Sequence, residues 1–362
     1  MKLLQQIWNG IQKQLFPALE EFVGPLTKKE KHLVEVLSLI DFPAHMAKYK
    51  WRGKGRRKRQ RIKIARAFSA KAIYNLPTTD MLIELLIGSK NLRFLCGWEN
   101  SHEVPSKATF SRAFADFADG GFCQEVFETT IKKHCSDKVA GHVSRDSTSI
   151  TAREKPAKKE KKVKHKRKPG RPRKGEKVEP KLPKRLDVQP KRTLEENLKD
   201  LPVICDRGTK KNSKGFKTTW IGYSLHLDCI DGDIPVSAVL TSASLHDSQV
   251  AIPLSQMTGE RLTNFYDLMD SAYDAVQIKD FSRQSGHVPI IDHNPRKGEK
   301  IQMEPAVKQR YKERSTVERV NGYLKDNYGG KQVRVKGGAK VFTHLLFGVM
   351  AIAATQLLKM VV

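Results

Sequence analysis

Residues 310–326 read RYKERSTVERVNGYLKD. On a helix advancing about 100° per residue, with Tyr311 at the origin, Arg314, Glu318, Gly322 and Lys325 fall within an arc of about 80°. Val317, Val320 and Leu324 fall on the opposite side. One face is therefore apolar and can pack, while the other presents a phenol, a guanidinium, a carboxylate and an ammonium in a row. Gly322 leaves a gap in that row where another backbone can approach. A solvated helix with i,i+4 ion pairs predicts Glu and Lys but gives no reason for Tyr or Gly. A metal-ligating carboxylate flanked by phosphate-binding cations accounts for the whole set.

Two further carboxylates sit where such chemistry wants them. Asp146 follows the apolar run VAGHVS and precedes STSIT, and Asp270 follows NFYDLM and precedes SAYDA. Acidic side chains at the ends of neighbouring strands converge and can hold hard divalent cations. Taken singly, a strand-end Asp is more often a turn former or a helix cap. Asp267 is the decoy, placed mid-strand or on the other face by the period of two. His246 and Asp247 follow another strand and are expected to support the site rather than to act in it.

The spacing Tyr311-x2-Arg314-x3-Glu318-x6-Lys325 resembles the Y-R-E-K signature of the bacterial insertion-sequence DDE transposases. Asp146 in RDSTSI and Asp270 in MDSAYDA resemble the two aspartates of that family, and GYSLHLD and LTSASLHDSQ look like its second and third strand segments. The resemblance covers roughly residues 80–360. It implies a ribonuclease-H-like catalytic domain in which Asp146, Asp270 and Glu318 bind two Mg²⁺ ions, with Mn²⁺ as a substitute. It further implies metal-dependent cleavage at the element ends, strand transfer into target DNA, a homodimer on double-stranded DNA, and a bacterial cytoplasmic, nucleoid-associated protein. Arg314 and Lys325 would then hold phosphates, and Tyr311 would stack on a base or bond a phosphate. Two departures stand out. Ser271-Ala272-Tyr273 follows the second aspartate where the family usually has Gly-Tyr two residues on, and only 47 residues separate Asp270 from Glu318, so no β-strand insertion precedes the glutamate. A metal-dependent nuclease of the same fold and a DNA-binding protein with a vestigial triad are the alternatives.

Charge points to the same partner. The 362 residues carry 67 Lys plus Arg against 39 Asp plus Glu, a formal +28, which implies a polyanion. Residues 48–66 hold 11 basic and no acidic residues, and residues 153–185 hold 17 basic and 4 acidic. Arg56, Arg57, Lys58 and Arg59 are the centre of the first patch, where Trp51 can stack on an unpaired base or pack on its own domain. The second contains KRKPGRPRKG (166–175), whose Gly170-Arg171-Pro172 core, followed by Arg173, resembles an AT-hook for a narrow minor groove. A polybasic segment that binds phosphate by counterion release is the other reading, and the triplet leaves both open.

The rest follows from periodicity. Residues 1–136 read as a helical DNA-binding domain. An amphipathic first helix carries Leu4, Ile7, Trp8, Ile11 and Leu15 on one side, and Thr27 with Glu30 forms a capping box. Thr78 or Thr79 caps DMLIELLIG, and Ser106 caps a helix whose Phe110, Phe114 and Phe117 recur at helical spacing. That stripe reads as core, with Lys107 and Arg112 on the outer face as a helix-turn-helix-like alternative. Residues 137–362 read as an α/β catalytic domain with a mixed sheet, interrupted by a basic insertion at 153–200 that is expected to be unstructured. Five scattered cysteines without a CxxC pair favour a reducing compartment over disulfides or zinc. The apolar run 341–362 is long enough to span a bilayer, but its His344, Thr355, Gln356 and Lys359 favour a helix buried against a sheet.

Overall fold

The computed structural model describes residues 2–50, 53, 60–158, 183–211, 215–295 and 298–361. Trp51, the basic residues Arg56, Arg57, Lys58 and Arg59, and the GRP segment with Arg171 and Arg173 lie outside the described residues.

The N-terminal third is helical. Thr27 Oγ1 accepts the Glu30 amide at 3.3 Å and Glu30 Oε2 accepts the Thr27 amide at 2.7 Å, closing the capping box of the helix Lys28–Leu39. Thr78, not Thr79, caps Thr79–Gly88, accepting the Met81 amide at 3.2 Å. Ser106 precedes the helix Lys107–Asp119 but makes no side-chain cap bond, and its hydroxyl instead meets Thr109 Oγ1 at 3.4 Å. Phe110, Phe114 and Phe117 are buried. Lys107, on the outer face, pairs with Asp80 at 2.6 Å. In the first helix a π turn at Ile11–Leu15 adds a residue to the register, so Leu4, Ile11 and Phe16 face the core and Leu15 turns outward.

Six strands form one mixed sheet: β1 (Val139–Thr151), β2 (Asp206–Lys211), β3 (Lys217–Ile230), β4 (Ile234–Ser242), β5 (Thr263–Met269) and β6 (Val288–Ile291). β1 pairs antiparallel with β3 and parallel with β5, and β6 pairs parallel with β5. Gly222 faces Thr151 on one edge and Asp206 on the other, so β2 and β4 lie end to end along the outer edge of β3. β4 is buried along its whole length, because its other face receives a helix. That helix is Gly338–Lys359, the apolar C-terminal run, which packs on β4 and on five N-terminal helices. One continuous core results, running from Leu33, Ile64 and Phe110 through Leu346 to Ile150 and Leu225. The five cysteines are free and buried.

Two expectations change. Residues 183–200, expected to be unstructured, are folded: Thr193 and Glu196 form a capping box for Leu194–Asp200, and Gln189 and Asn197 are buried against the helix Ser248–Gly259. Their composition is charged, but Leu198 and Leu201 supply enough apolar surface to dock. The stretch RYKERSTVERVNGYLKD is three helical pieces rather than one: Pro305–Tyr311, a 3₁₀ turn at Lys312–Arg314, and Ser315–Asn327.

Candidate active site

Alternation along β1 sends Arg145 to one face of the sheet and Asp146 to the other. Arg145 is 1% exposed and bonds both carboxylate oxygens of Asp228 of β3 through its Nε–Nη2 edge, at 2.7 and 2.6 Å. Asp146 therefore stands mid-strand, not at a strand end as the sequence suggested, on a strand anchored from behind. The last β1–β5 pair is Arg145 with Met269, so Asp270, the first residue past β5, lies beside Asp146. Asp270 Oδ1 accepts the Ala272 amide at 2.9 Å, and Asp146 Oδ1 accepts the Ser147 amide at 2.7 Å.

Glu318 arrives on the helix Ser315–Asn327. Val317, Val320 and Leu324 are fully buried beneath it, as the wheel required. Ser144 Oγ donates to the Glu313 carbonyl at 3.0 Å, which ties the 3₁₀ turn to β1. Arg319 grips Asp233 of the β3–β4 turn at 2.9 Å. Arg314 is held between these anchors. It bonds Glu318, and its Nη1 lies 3.9 Å from Asp146 Oδ2. Asp146, Asp270 and Glu318 thus gather round one guanidinium. The Glu318 side chain is 53% exposed and that of Asp146 19%, so the site opens outward from a sheltered floor.

The electrostatics are those of carboxylates short of positive charge. Burial pushes Asp146 up to about 6; Asp270 adds to the rise, while Lys210, the Ser147 amide and Arg314 oppose it. Asp270 is also raised, chiefly by burial, with Asp247 adding to it. Tyr311, half-buried beside Arg314, is pushed up to about 12 by burial and stays protonated. Lys325 lies near enough to feel Asp146 and Lys210, and burial draws its value down. Gly322 has open space where a side chain would begin, so no backbone fills the expected gap among the described residues.

One site residue went unread. Lys210 of β2 donates to Ser147 Oγ at 2.7 Å and lies 3.3 Å from Asp247, placing a cation behind the aspartates. DRGTKK has no apolar period, so nothing in it announces a strand. Asp247 reaches this corner, whereas His246 bonds Ser248 Oγ in its own turn at 2.8 Å. Asp267 is buried under the helix Val276–Gln284, bonding Asn264 at 3.0 Å and Ser282.

Among the described residues no three His, Cys, Asp or Glu side chains stand close enough to hold a metal ion. Arg314 takes the central place, and its Nη1 is buried without a hydrogen-bond partner. The donor set nonetheless fits hard dications: three carboxylates, two of them raised by burial that a cation would offset.

A family model described as the transposase DDE domain matches residues 137–354, and a second, described as a transposase domain, matches residues 21–116. No curated protein and no solved structure matches the chain. The first match spans more than half the residues and contains all three gathered carboxylates, and the second covers the N-terminal helices; the chain belongs to the insertion-sequence DDE transposases, a family of DNA-cleaving enzymes.

Proposed function

We propose that this protein cuts DNA at the ends of its own element and joins the freed 3′-OH to target DNA, using Asp146, Asp270 and Glu318 to hold two Mg²⁺ ions, with Mn²⁺ as a substitute. The observation that carries the reading is the gathering of three carboxylates, from two adjacent strands and a helix, around Arg314 in a strongly basic protein. When bound, the two cations would stabilise the attacking and leaving oxygens of an in-line displacement at phosphorus. Arg314, relieved of its carboxylates, faces two oxygens of the scissile phosphate as a fork. Lys325, two turns beyond Glu318, holds a flanking phosphate as a point charge. Tyr311 keeps its proton and donates it to phosphate or stacks on an unpaired base. In the first step water adds to phosphorus and a 3′-oxygen leaves, giving a 3′-OH and a 5′-phosphate. In the second that 3′-OH adds to a target phosphodiester and displaces another 3′-oxygen, so the number of phosphodiesters is conserved and no outside energy source is required.

Double-stranded DNA is the partner, bound by residues 1–136 and by the basic stretches 48–66 and 153–200. Pairing two ends calls for two active sites, hence a homodimer on DNA. The protein works in the bacterial cytoplasm, at the nucleoid. The test is a plasmid carrying the gene with its native flanks, incubated with purified protein and Mg²⁺, with strand breaks mapped for wild type and Glu318→Gln. Metal-dependent breaks at defined flanking positions, lost in the variant, are expected. Binding without breaks in either protein would leave a DNA-binding protein and sink the catalytic reading.

A further inference from the structure

We infer that a cleft between the N-terminal helices and the segment 334–340 binds the phosphodiester backbone of DNA leaving the carboxylate site. The inference rests on the function proposed above and adds the path of the DNA. The cleft has a volume of about 450 Å³. Lys71, Lys107, Arg153, Arg334, Lys336 and Lys340 line it, against one carboxylate, Asp80, which Lys107 already engages at 2.6 Å. Phe68 and Phe114 contribute apolar wall.

Lys71 carries the argument. It is 8% exposed, on a helix whose neighbouring Ala70 and Ala72 are buried, and its side chain makes no hydrogen bond or ion pair among the described residues. A lysine buried along most of its length with no carboxylate paired to its ammonium is costly and is kept where something else repays it. Burial draws its value down to about 8, so an anion in the cleft would hold it charged. The 22-residue helix Gly338–Lys359 begins at the same wall, where Glu154 Oε1 accepts the Gly337 amide at 2.9 Å, so the cations of the cleft and not the helix end carry its positive charge.

The position favours a strand over a free anion. Arg153 lies seven residues beyond Asp146, which is about 23 Å of extended chain and about seven base pairs of duplex. Lys325, on the helix of Glu318, lies near enough to Asp146 to feel its charge. Asn75 ties the two regions together, donating to the Asp326 carbonyl at 2.8 Å and accepting the Gly329 amide at 3.0 Å. Cations therefore run from the carboxylates into the cleft, and six around one cleft exceed what a single phosphate can use.

The test measures fluorescence anisotropy of a labelled duplex of about 30 base pairs and arbitrary sequence, with the full chain, from about 50 to 200 mM NaCl. Each lost phosphate contact flattens the plot of log affinity against log salt by about 0.9. Arg334→Gln/Lys336→Gln/Lys340→Gln, at exposed positions where folding is not at stake, should flatten it by about 2 to 3 and weaken binding at least tenfold. Lys71→Met should flatten it by about one and raise the melting temperature, since a buried unpaired charge disappears. Wild-type binding with unchanged slopes in both variants overturns the inference. So does displacement of the duplex from wild type alone by pyrophosphate at matched ionic strength, which would make the cleft a small-anion site. Failure of wild type both to bind and to cut would instead refute the function on which the inference rests.

Discussion

Replacing Arg145 by Met tests whether the site depends on the ion pair behind it. Arg145 and Asp228 are 1% and 0% exposed, and their two bonds, at 2.7 and 2.6 Å, join β1 to β3. Although burial penalises its charge, Asp228 holds Arg145 above its ordinary value. Asp228 has one further donor, Thr258 Oγ1 at 2.7 Å, from the helix Ser248–Gly259. Arg145→Met preserves much of the apolar stem but leaves a carboxylate in the core with one hydroxyl for company. Breaking a buried pair in this way costs about 3–5 kcal/mol, whereas replacing both partners by apolar residues is often close to neutral. Arg145→Met/Asp228→Leu should therefore recover most of what the single variant loses, since the Thr258 hydroxyl keeps Ser237 Oγ at 2.8 Å when the carboxylate is gone. Urea unfolding followed by tryptophan fluorescence reads the midpoint, with an unchanged slope required for the comparison. DNA cleavage should track stability, low in the single variant and partly restored in the double, because the pair sets the height of Asp146 without touching DNA. A loss below about 1 kcal/mol for Arg145→Met, or a double variant no better than the single, would refute this reasoning.

Gly222→Ala should be barely foldable: its φ is +152°, and an added Cβ would lie 2.1 Å from the Ile150 carbonyl oxygen, with backbone that cannot retreat. The soluble yield and urea midpoint report it, and a wild-type midpoint would contradict the placement of β3 between β1 and β2. Thr27→Ala removes one half of the capping box and should cost about 1 kcal/mol, read from the same urea curves. Acid should destabilise the fold through His134 and His226, which burial holds down at about 4 against an ordinary 6.5. Their folded values are the lower ones, so the unfolded chain takes up protons first; stability is intact above pH 6.5 and falls towards pH 4, by up to about 3 kcal/mol for each histidine. Calorimetric melting temperatures across that window should fall less steeply for His134→Gln/His226→Gln than for wild type, and parallel slopes would clear both residues.

The strands that bury both faces were legible because they are long, apolar and β-branched. TTWIGYSLHLDCI and DIPVSAVLTSA leave no other reading, and β4 is indeed buried throughout. DRGTKK was not legible, since an edge strand held by backbone bonds to β3 needs no apolar face. Periodicity found the buried side of the Glu318 helix because Val317, Val320 and Leu324 pack there, but it could not show the 3₁₀ turn at Lys312–Arg314. That break is imposed from outside, where Ser144 takes the Glu313 carbonyl. Composition likewise marked 153–200 as charged without showing that Leu198 and Leu201 dock its last part. Lys210 escaped for the most general reason: a lysine in a basic protein carries no signal until its neighbours are known.

The C-terminal helix explains why the two halves of this chain cannot be treated as a reader of DNA tethered to a cutter. Its apolar surface is covered by β4 on one side and by five N-terminal helices on the other, so removing either layer exposes a long apolar face. Phe347 on this helix packs against Phe68 with ring centroids 5.7 Å apart, and Phe68 also walls the basic cleft. Asn75, a few residues on, fastens the same region to the end of the Glu318 helix. Phosphates gripped by Lys71 and Arg334 are therefore held at a fixed distance from Asp146 by a packed core rather than by a linker. On the proposed function, rigid separation would position one phosphodiester over the carboxylates once its neighbours are bound, and a displacement of about 1 Å there is enough to cost about a hundredfold in rate.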